Sequence, residues 1–200
     1  MKYIFIAGAP GSKWSSVARN IYFSPSIDRS DNTDRRQYEQ TGHCGAYWDP
    51  GMEFDIPAEL DTLVPEQAQA QWDAPFSGTG CRIVKSHVFC YRENIDYLRR
   101  NWPDSPIVLV HRPDDACVGW WVRAGGFDIT YPNYEPYYQT LSVMCHRVTA
   151  MNRGLQSAWH SYTGVEPETN RQLVDILNIE PPPLNYAQNY AVHDIAVKVI

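Results

Sequence analysis

Residues 3–23 have the sequence YIFIAGAPGSKWSSVARNIYF, in which a short apolar run ends at a glycine-containing turn. Residues 3–7 are almost continuously apolar, as expected of a strand that is buried on both faces of a sheet. Residues 12–23 predict a helix, because apolar side chains recur along one side of it after a start that carries Ser15 and Ser16. The chain therefore begins with a strand, a tight turn and a helix.

The same order of elements recurs twice further along the chain. Residues 81–85 and 106–110 are two more short apolar runs, and helices are predicted after them at 91–101 and 114–124. Strands that alternate with helices predict an α/β domain. Its central sheet would be mostly parallel and flanked by helices, with ligands bound beyond the carboxyl ends of the strands.

The remaining segments are predicted with less regular patterns. Residues 24–80 predict loops and short helices, with one helix inside 57–72. Residues 141–159 form the clearest amphipathic pattern, and 166–178 predict a shorter helix with Pro167 in its first turn. Residues 196–200 predict a last strand or a docked tail.

Length and charge limit the classes of protein that fit. With 200 residues the chain predicts one domain, 1–200, and its net charge of −6 disfavours nucleic acid or an anionic membrane surface as partner. No apolar run reaches the ~20 residues that span a bilayer. The five scattered cysteines show neither a CxxC pair nor zinc-ligand spacing, so we expect reduced thiols, no metal and a cytoplasmic location.

The first turn has the features of an anion site. Small residues allow close approach of the backbone, a helix N-terminus directs N–H groups at one point, and Lys13 adds a positive charge. A complete Walker A motif is absent, because Ser12 precedes that lysine and Trp14 follows it. The alternative is a plain strand-to-helix turn. The candidate ligand-binding residues are Pro10, Gly11, Ser12, Lys13, Trp14, Ser15 and Ser16.

The second turn follows residues 81–85 and contains Lys85 and His87. In an extended segment these two residues would face the same side and could address one ligand. The alternative for His87 is an ordinary surface or core histidine. The third turn contains His111 and Arg112, and the alternative for Arg112 is a surface ion pair with Asp114 or Asp115.

These three turns resemble the motifs of the cytosolic-type sulfotransferases. Val84-Lys85-Ser86-His87 is similar to their Lys-Thr/Ser-His segment, and residues 10–16 are similar to their Pro-Lys-Ser-Gly-Thr-Thr-Trp loop. Residues 111–119 resemble their Arg-Asn-Pro-x-Asp-x-x-x-Ser. Aligned without gaps, the arginine position is His111 and the serine position is Gly119, whereas a shift by one residue brings in Arg112 and Trp120. Residues 171–179 resemble the family's closing helix, and the resemblance implies that the α/β domain is of the family's three-layer, P-loop type.

The resemblance implies transfer of a sulfuryl group from 3′-phosphoadenosine-5′-phosphosulfate (PAPS), as co-substrate, to a hydroxyl or amine, without a metal. It implies that His87 is the general base and that Lys85, together with Lys13, neutralises developing charge. The 10–16 loop would hold the 5′-phosphosulfate, and His111 or Arg112, with Gly119, would lie at the 3′-phosphate.

The acceptor is expected to be a small molecule such as a phenol, lipid or sugar. Contacts to it are expected from the irregular segment 24–80 and from an aromatic group. That group comprises Trp120, Trp121, Phe127, Tyr131, Tyr134, Tyr137 and Tyr138. Two other functions stay open at this point: a sulfotransferase-like binding protein that has lost catalysis, and a P-loop nucleotide or metabolite kinase.

Overall fold

A computed structural model of the chain describes residues 1–31, 46–47, 59–123, 140–183 and 194–200. Within these residues the strands form one sheet in the order β2-β3-β1-β4-β5. The strands are β1 Tyr3–Gly8, the two-residue β2 Ala46–Tyr47, β3 Arg82–Lys85, β4 Ile107–His111 and β5 Ala196–Val199. β1 to β4 are parallel to one another, and β5 pairs antiparallel with β4. The predicted α/β class with a mostly parallel sheet is confirmed.

The helices that the structure describes alternate with the strands for most of the chain. They are α1 Trp14–Tyr22, α2 Glu59–Thr62, α3 Pro65–Asp73, α4 Arg92–Asn101, α5 Asp114–Arg123, α6 Leu141–Ser161 and α7 Asn170–Ile176. A short 3-10 helix, His87–Cys90, follows β3. None of the helices in these ranges is long and apolar enough to cross a bilayer.

The two faces of β1 explain why its sequence is apolar at every position. Tyr3 and Phe5 pack into a cluster completed by α3, α4 and α6, whereas Ile4 and Ile6 pack into a second cluster completed by α1 and α7. Each side chain of this central strand is fully buried, and alternate residues of a strand face opposite sides of the sheet. The predicted strand is therefore confirmed together with its burial on both faces.

Several predicted helix boundaries are wrong. The first helix begins at Trp14 rather than at residue 12, because Lys13 adopts a left-handed backbone conformation with φ 58°. The helix expected at 166–178 begins at Asn170, where the hydroxyl of Thr169 caps it by accepting from Gln172 N at 3.2 Å. Pro167 therefore precedes the helix. The segment 57–72 contains two helices, α2 and α3, instead of one.

A polar cluster fixes the amino end of the sheet, opposite the turns singled out above. The carboxylate of Asp73, at the end of α3, accepts hydrogen bonds from Lys2 Nζ and Tyr3 Oη, both at 2.7 Å, and also contacts Arg82. Arg82 reaches Asp28 as well, with 3.5 Å between Nε and Oδ2. The cluster thus ties α3 and the segment after α1 to β1 and β3.

Candidate active site

Three turns meet at the carboxyl edge of the sheet. β1 lies between β3 and β4, and all three strands run in the same direction. Their last residues are Gly8, Lys85 and His111. The residues that follow each strand therefore come together in space although they are far apart in sequence, as expected for the carboxyl ends of parallel strands.

The turn at 9–13 is tight and uses part of its own hydrogen-bonding capacity. Ser12 N donates to Ala9 O at 3.0 Å, and Ser16 N donates to Lys13 O at 2.8 Å. These two N–H groups are therefore engaged within the chain. The first turn of α1, which begins at Trp14, still directs the positive end of the helix dipole at this loop.

Ser12 places a polar atom inside this turn. Its side chain is fully buried, and its Oγ has no hydrogen-bond partner among the residues that the structure describes. The same Oγ lies 2.7 Å from the position that a Cβ on Gly8 would occupy. Only glycine at position 8 leaves room for this hydroxyl, and a buried hydroxyl without a partner is uncommon in native proteins.

His87 is held by the end of β1. Its Nδ1 lies 2.5 Å from Gly8 O, and because a carbonyl oxygen can only accept, Nδ1 carries the proton. In the neutral imidazole the basic nitrogen is then Nε2. The histidine begins a 3-10 helix that Ser86 caps, with Val88 N donating to Ser86 Oγ at 3.3 Å. The expected extended conformation after Lys85 is therefore wrong at this residue.

Trp14 brings the second turn into contact with the first. Its indole stacks on the imidazole of His87, with ring centroids 4.3 Å apart, and Lys85 Nζ lies 5.4 Å from the centroid of the indole. Lys85 is fully buried and His87 is 8% exposed. Both residues predicted at this turn thus meet the aromatic ring that opens α1, where cation–π attraction favours a positive charge.

Arg112 reaches the first turn from the other side of β1. Its Nη1 donates to Gly11 O at 3.0 Å, and the side chain is buried. Gly11 has φ 80°, and a Cβ there would lie 2.4 Å from the carbonyl oxygen of Cys117 in α5. The turn is therefore packed directly against α5, and this approach requires glycine.

A buried asparagine orients the turn after β4. Asn152 Nδ2, from α6, lies 2.9 Å from Arg112 O and 2.6 Å from Asp114 Oδ1. Thr149 donates to the other carboxylate oxygen of Asp114 at 2.7 Å. These contacts set the path of the backbone from which the Arg112 guanidinium turns to the loop.

His111, the other residue considered at this turn, contacts α6. Its Nε2 lies 3.1 Å from Gln156 Nε2. Burial lowers the pKa of His111, although the nearby charge of Asp114 opposes that change. Of the two residues at this position, Arg112 contacts the first turn. The contact given for His111 is to α6.

Gly119 does not supply a side chain, but an arginine lies over it. A Cβ at position 119 would lie 3.2 Å from Nη1 of Arg123, one helical turn further along α5. The pKa of Lys13 is lowered, first by burial and then by the charges of Arg112 and Arg123. These three cations therefore lie within electrostatic reach of one another at the turn.

Sequence reasoning missed two residues of this site. Arg123 could have been found from its spacing of four from Gly119 on a predicted helix, which places the two on one face. Asn152 could have been found as a polar residue on the apolar side of the amphipathic helix. A buried amide needs hydrogen-bond partners, so such a position indicates a polar contact.

Most of the residues predicted to contact the acceptor lie outside the described residues. Trp120 is half-buried and packs against the cluster on the α3, α4 and α6 face, so it contributes to packing. The side chain of Trp121, together with Phe127, Tyr131, Tyr134, Tyr137 and Tyr138, lies outside the described residues. Residues 32–45, which include Cys44, and 48–58 of the irregular segment also lie outside the described residues. The described cysteines are free thiols: Cys81, Cys90, Cys117 and Cys145.

Comparisons with known proteins give no family for the chain. No protein-family model, no curated protein and no solved structure matches it significantly. Among the described residues no group of three or more His, Cys, Asp or Glu side chains is arranged to hold a metal ion.

Proposed function

We propose that the chain is a sulfotransferase with a three-layer, P-loop-type domain, which transfers the sulfuryl group of PAPS to a hydroxyl or amine. One observation carries the proposal. His87 and Arg112 follow different strands, yet they hydrogen-bond to Gly8 O and Gly11 O, which belong to one turn. A candidate base and a permanent cation thus flank the same helix N-terminus, in agreement with the motif resemblance.

The geometry at His87 suits general-base catalysis. With its Nδ1 proton directed at Gly8 O, the neutral imidazole presents Nε2 as proton acceptor. The acceptor oxygen or nitrogen would attack sulfur as the sulfur–oxygen bond to the 5′-phosphate breaks, and Nε2 would take the acceptor's proton. The leaving group would be adenosine 3′,5′-bisphosphate. Such base catalysis typically contributes about 10²- to 10⁴-fold in rate.

The cations would stabilise the charge that develops on the leaving phosphate. Arg112 supplies a guanidinium, and Lys13 extends the positive end of α1. Lys85 is fully buried. Its ammonium, which lies over the Trp14 ring, would therefore act on the ligand electrostatically rather than by direct contact. In a site of low dielectric, a fixed charge of this kind contributes more than it would in water.

A second candidate is a binding protein with this fold that has lost catalysis. Two observations favour it: Gly119 stands where the family has a phosphate-binding serine, and Lys85 has no exposed surface. A kinase is disfavoured, because β4 ends in His111 and is followed by Arg112 rather than by a carboxylate that could hold magnesium.

Thermal denaturation with three ligands separates these functions. Adenosine 3′,5′-bisphosphate at 100 times its dissociation constant would stabilise the native state by about 2.7 kcal/mol, a shift in Tm of roughly 5–10 °C for a chain of this size. A larger shift with ATP and magnesium would favour the kinase. No shift with the bisphosphate, ATP or AMP would reject the sulfotransferase and the kinase and would favour the binding protein, as a protein that has also lost affinity for the nucleotide. Transfer of ³⁵S from labelled PAPS to a phenol panel would then separate the enzyme from the binding protein.

A further inference from the structure

We propose that Arg123 is an anion-contacting residue of this site, and that Lys13, Arg112 and Arg123 together make it prefer ligands with more negative charge than a single phosphate group. This inference rests on the proposed function only in the choice of nucleotide ligand. The chemical class it names is a multiply charged phosphate, such as a bisphosphate.

The guanidinium of Arg123 lies over Gly119. Both lie on α5 and are separated by four residues, so they share one helical face. The two terminal nitrogens of the guanidinium lie 3.2 and 3.7 Å from the position of a Cβ on Gly119. The absence of a side chain at position 119 therefore leaves the space that the guanidinium occupies.

The first turn packs against α5, the helix that carries Gly119 and Arg123. Gly11 approaches the carbonyl of Cys117, which is two residues before Gly119, so closely that a Cβ on Gly11 would be 2.4 Å away. Arg112 donates to Gly11 O from the start of the same segment. The first turn thus packs against α5, with Arg112 before the helix and Arg123 at its end.

The turn also concentrates positive charge. Lys13 is half-buried in this turn, and the charges of Arg112 and Arg123 both disfavour its protonated form. Three like charges repel one another, and an anion placed among them would relieve that repulsion. A ligand that carries more charge gains more from each cation, so affinity should rise steeply with ligand charge.

The alternative role of Arg123 is purely structural. A basic residue in the last turn of a helix stabilises it through the helix dipole, by typically 0.3–1 kcal/mol. That role would affect the stability of the protein and leave ligand selectivity unchanged. Binding measurements on variants therefore separate the two roles.

The test uses Arg123→Gln and Gly119→Ala in the full chain, with binding of adenosine 3′,5′-bisphosphate, AMP and inorganic pyrophosphate measured by calorimetry. In Arg123→Gln we expect the bisphosphate to bind about 10- to 100-fold more weakly, which corresponds to one lost hydrogen bond to a charged group. The AMP affinity should fall less, so the ratio of the two affinities should shrink. The control Arg99→Gln removes an equal charge beside Pro103 and Pro106, at the amino end of β4.

Gly119→Ala separates binding from folding. Alanine is favoured over glycine inside a helix by about 1 kcal/mol, and the atom that its Cβ would meet is the end of a flexible side chain. We therefore expect an unchanged or higher Tm together with weaker binding of the bisphosphate, because the guanidinium must shift. A lower Tm with unchanged binding would contradict the inference.

The outcomes distinguish this inference from the proposed function. Equal bisphosphate affinity in wild type and Arg123→Gln would overturn the role of Arg123. If wild type binds pyrophosphate but neither nucleotide, the proposed function fails, and the effect of Arg123→Gln on pyrophosphate still decides the inference. If wild type binds none of the three ligands, both are rejected.

Discussion

The indole of Trp14 lies almost face to face with the imidazole of His87, with the ring planes inclined by 23° and their centroids 4.3 Å apart. His87 is thereby fixed by two contacts of different kinds, this stack and the hydrogen bond to Gly8 O. The stack controls the tilt of the ring, and the hydrogen bond, whose geometry requires that tilt, determines which nitrogen carries the proton. Trp14 is in this sense a positioning residue for the proposed base.

Replacing Trp14 by leucine should disturb both properties of His87. We expect transfer activity to fall about 100-fold, since small misplacements of a catalytic group cost on that order. In nitrogen NMR spectra, the distinct signals of a protonated Nδ1 and an unprotonated Nε2 should merge toward an average. Trp14→Phe keeps an aromatic face and should retain most of both. Distinct nitrogen signals in the leucine variant would contradict the positioning role.

His87→Asn tests the base without removing the contact to β1. The asparagine amide can still donate toward Gly8 O, but it has no nitrogen that accepts a proton. We expect a rate loss of about 10²- to 10⁴-fold with nearly unchanged affinity for adenosine 3′,5′-bisphosphate. Labelled PAPS assays and calorimetry measure the two quantities. Unimpaired turnover would remove His87 from the mechanism.

Lys13→Gly should make the protein more stable and its site weaker. A side chain in the left-handed region costs roughly 1–2 kcal/mol, of which glycine would recover a part after its greater chain entropy in the unfolded state. Loss of the ammonium should weaken bisphosphate binding about 10-fold. The control Asn178→Gly, also at positive φ, should leave binding unchanged. Urea denaturation measures the stability. If Lys13→Gly bound the bisphosphate as tightly as the wild type, Lys13 would be excluded as a ligand-binding residue.

Asp73 predicts how stability depends on acid. Burial alone would raise the pKa of Asp73, but hydrogen bonds from Lys2, Tyr3 and Arg82 outweigh burial and lower it. Stability from this carboxylate is therefore complete above its unfolded pKa of roughly 3.9, and it is lost as the pH falls through the lower folded value. Acid should thus destabilise the wild type below about pH 4.

Asp73→Asn is the variant for this prediction. At pH 7 it should lower the free energy of unfolding by about 1–3 kcal/mol, since it weakens a partly buried polar cluster. Below about pH 4 the difference from wild type should shrink. The control is Asp175→Asn, which removes an exposed ion pair with Arg171. It should lower the free energy of unfolding by less than about 0.5 kcal/mol. Melting curves between pH 2 and 7 supply both values, and a constant difference across that range would contradict the assignment.

The sequence predicted the elements that have a strong apolar pattern. β1, β3 and β4 were expected within one residue at each end, because strands buried on both faces are apolar at every position. The long helix α6 was expected from its periodic apolar side, with its end two residues early. These features depend on local patterns, and such patterns are visible without knowledge of the fold.

Other features depend on tertiary contacts and were missed. The left-handed conformation of Lys13 delays the start of α1, and nothing in the residue type indicates it. The approach of Gly11 to Cys117 joins residues 106 positions apart, from 117 − 11. By contrast, Arg112 is favoured over His111 by residue type alone, because a guanidinium is permanently charged and forked, and only its contact to Gly11 O required the structure.

Gly154, in the middle of α6, has a mechanical consequence for the base. A Cβ there would lie 2.2 Å from the carbonyl oxygen of Cys90, which ends the short helix that His87 begins. Any larger residue at position 154 would push that helix and carry the imidazole with it. The position of the proposed base thus depends on how closely α6 approaches the short helix, so substitution at Gly154 is limited by the site just as it is at Asn152, which orients the turn after β4.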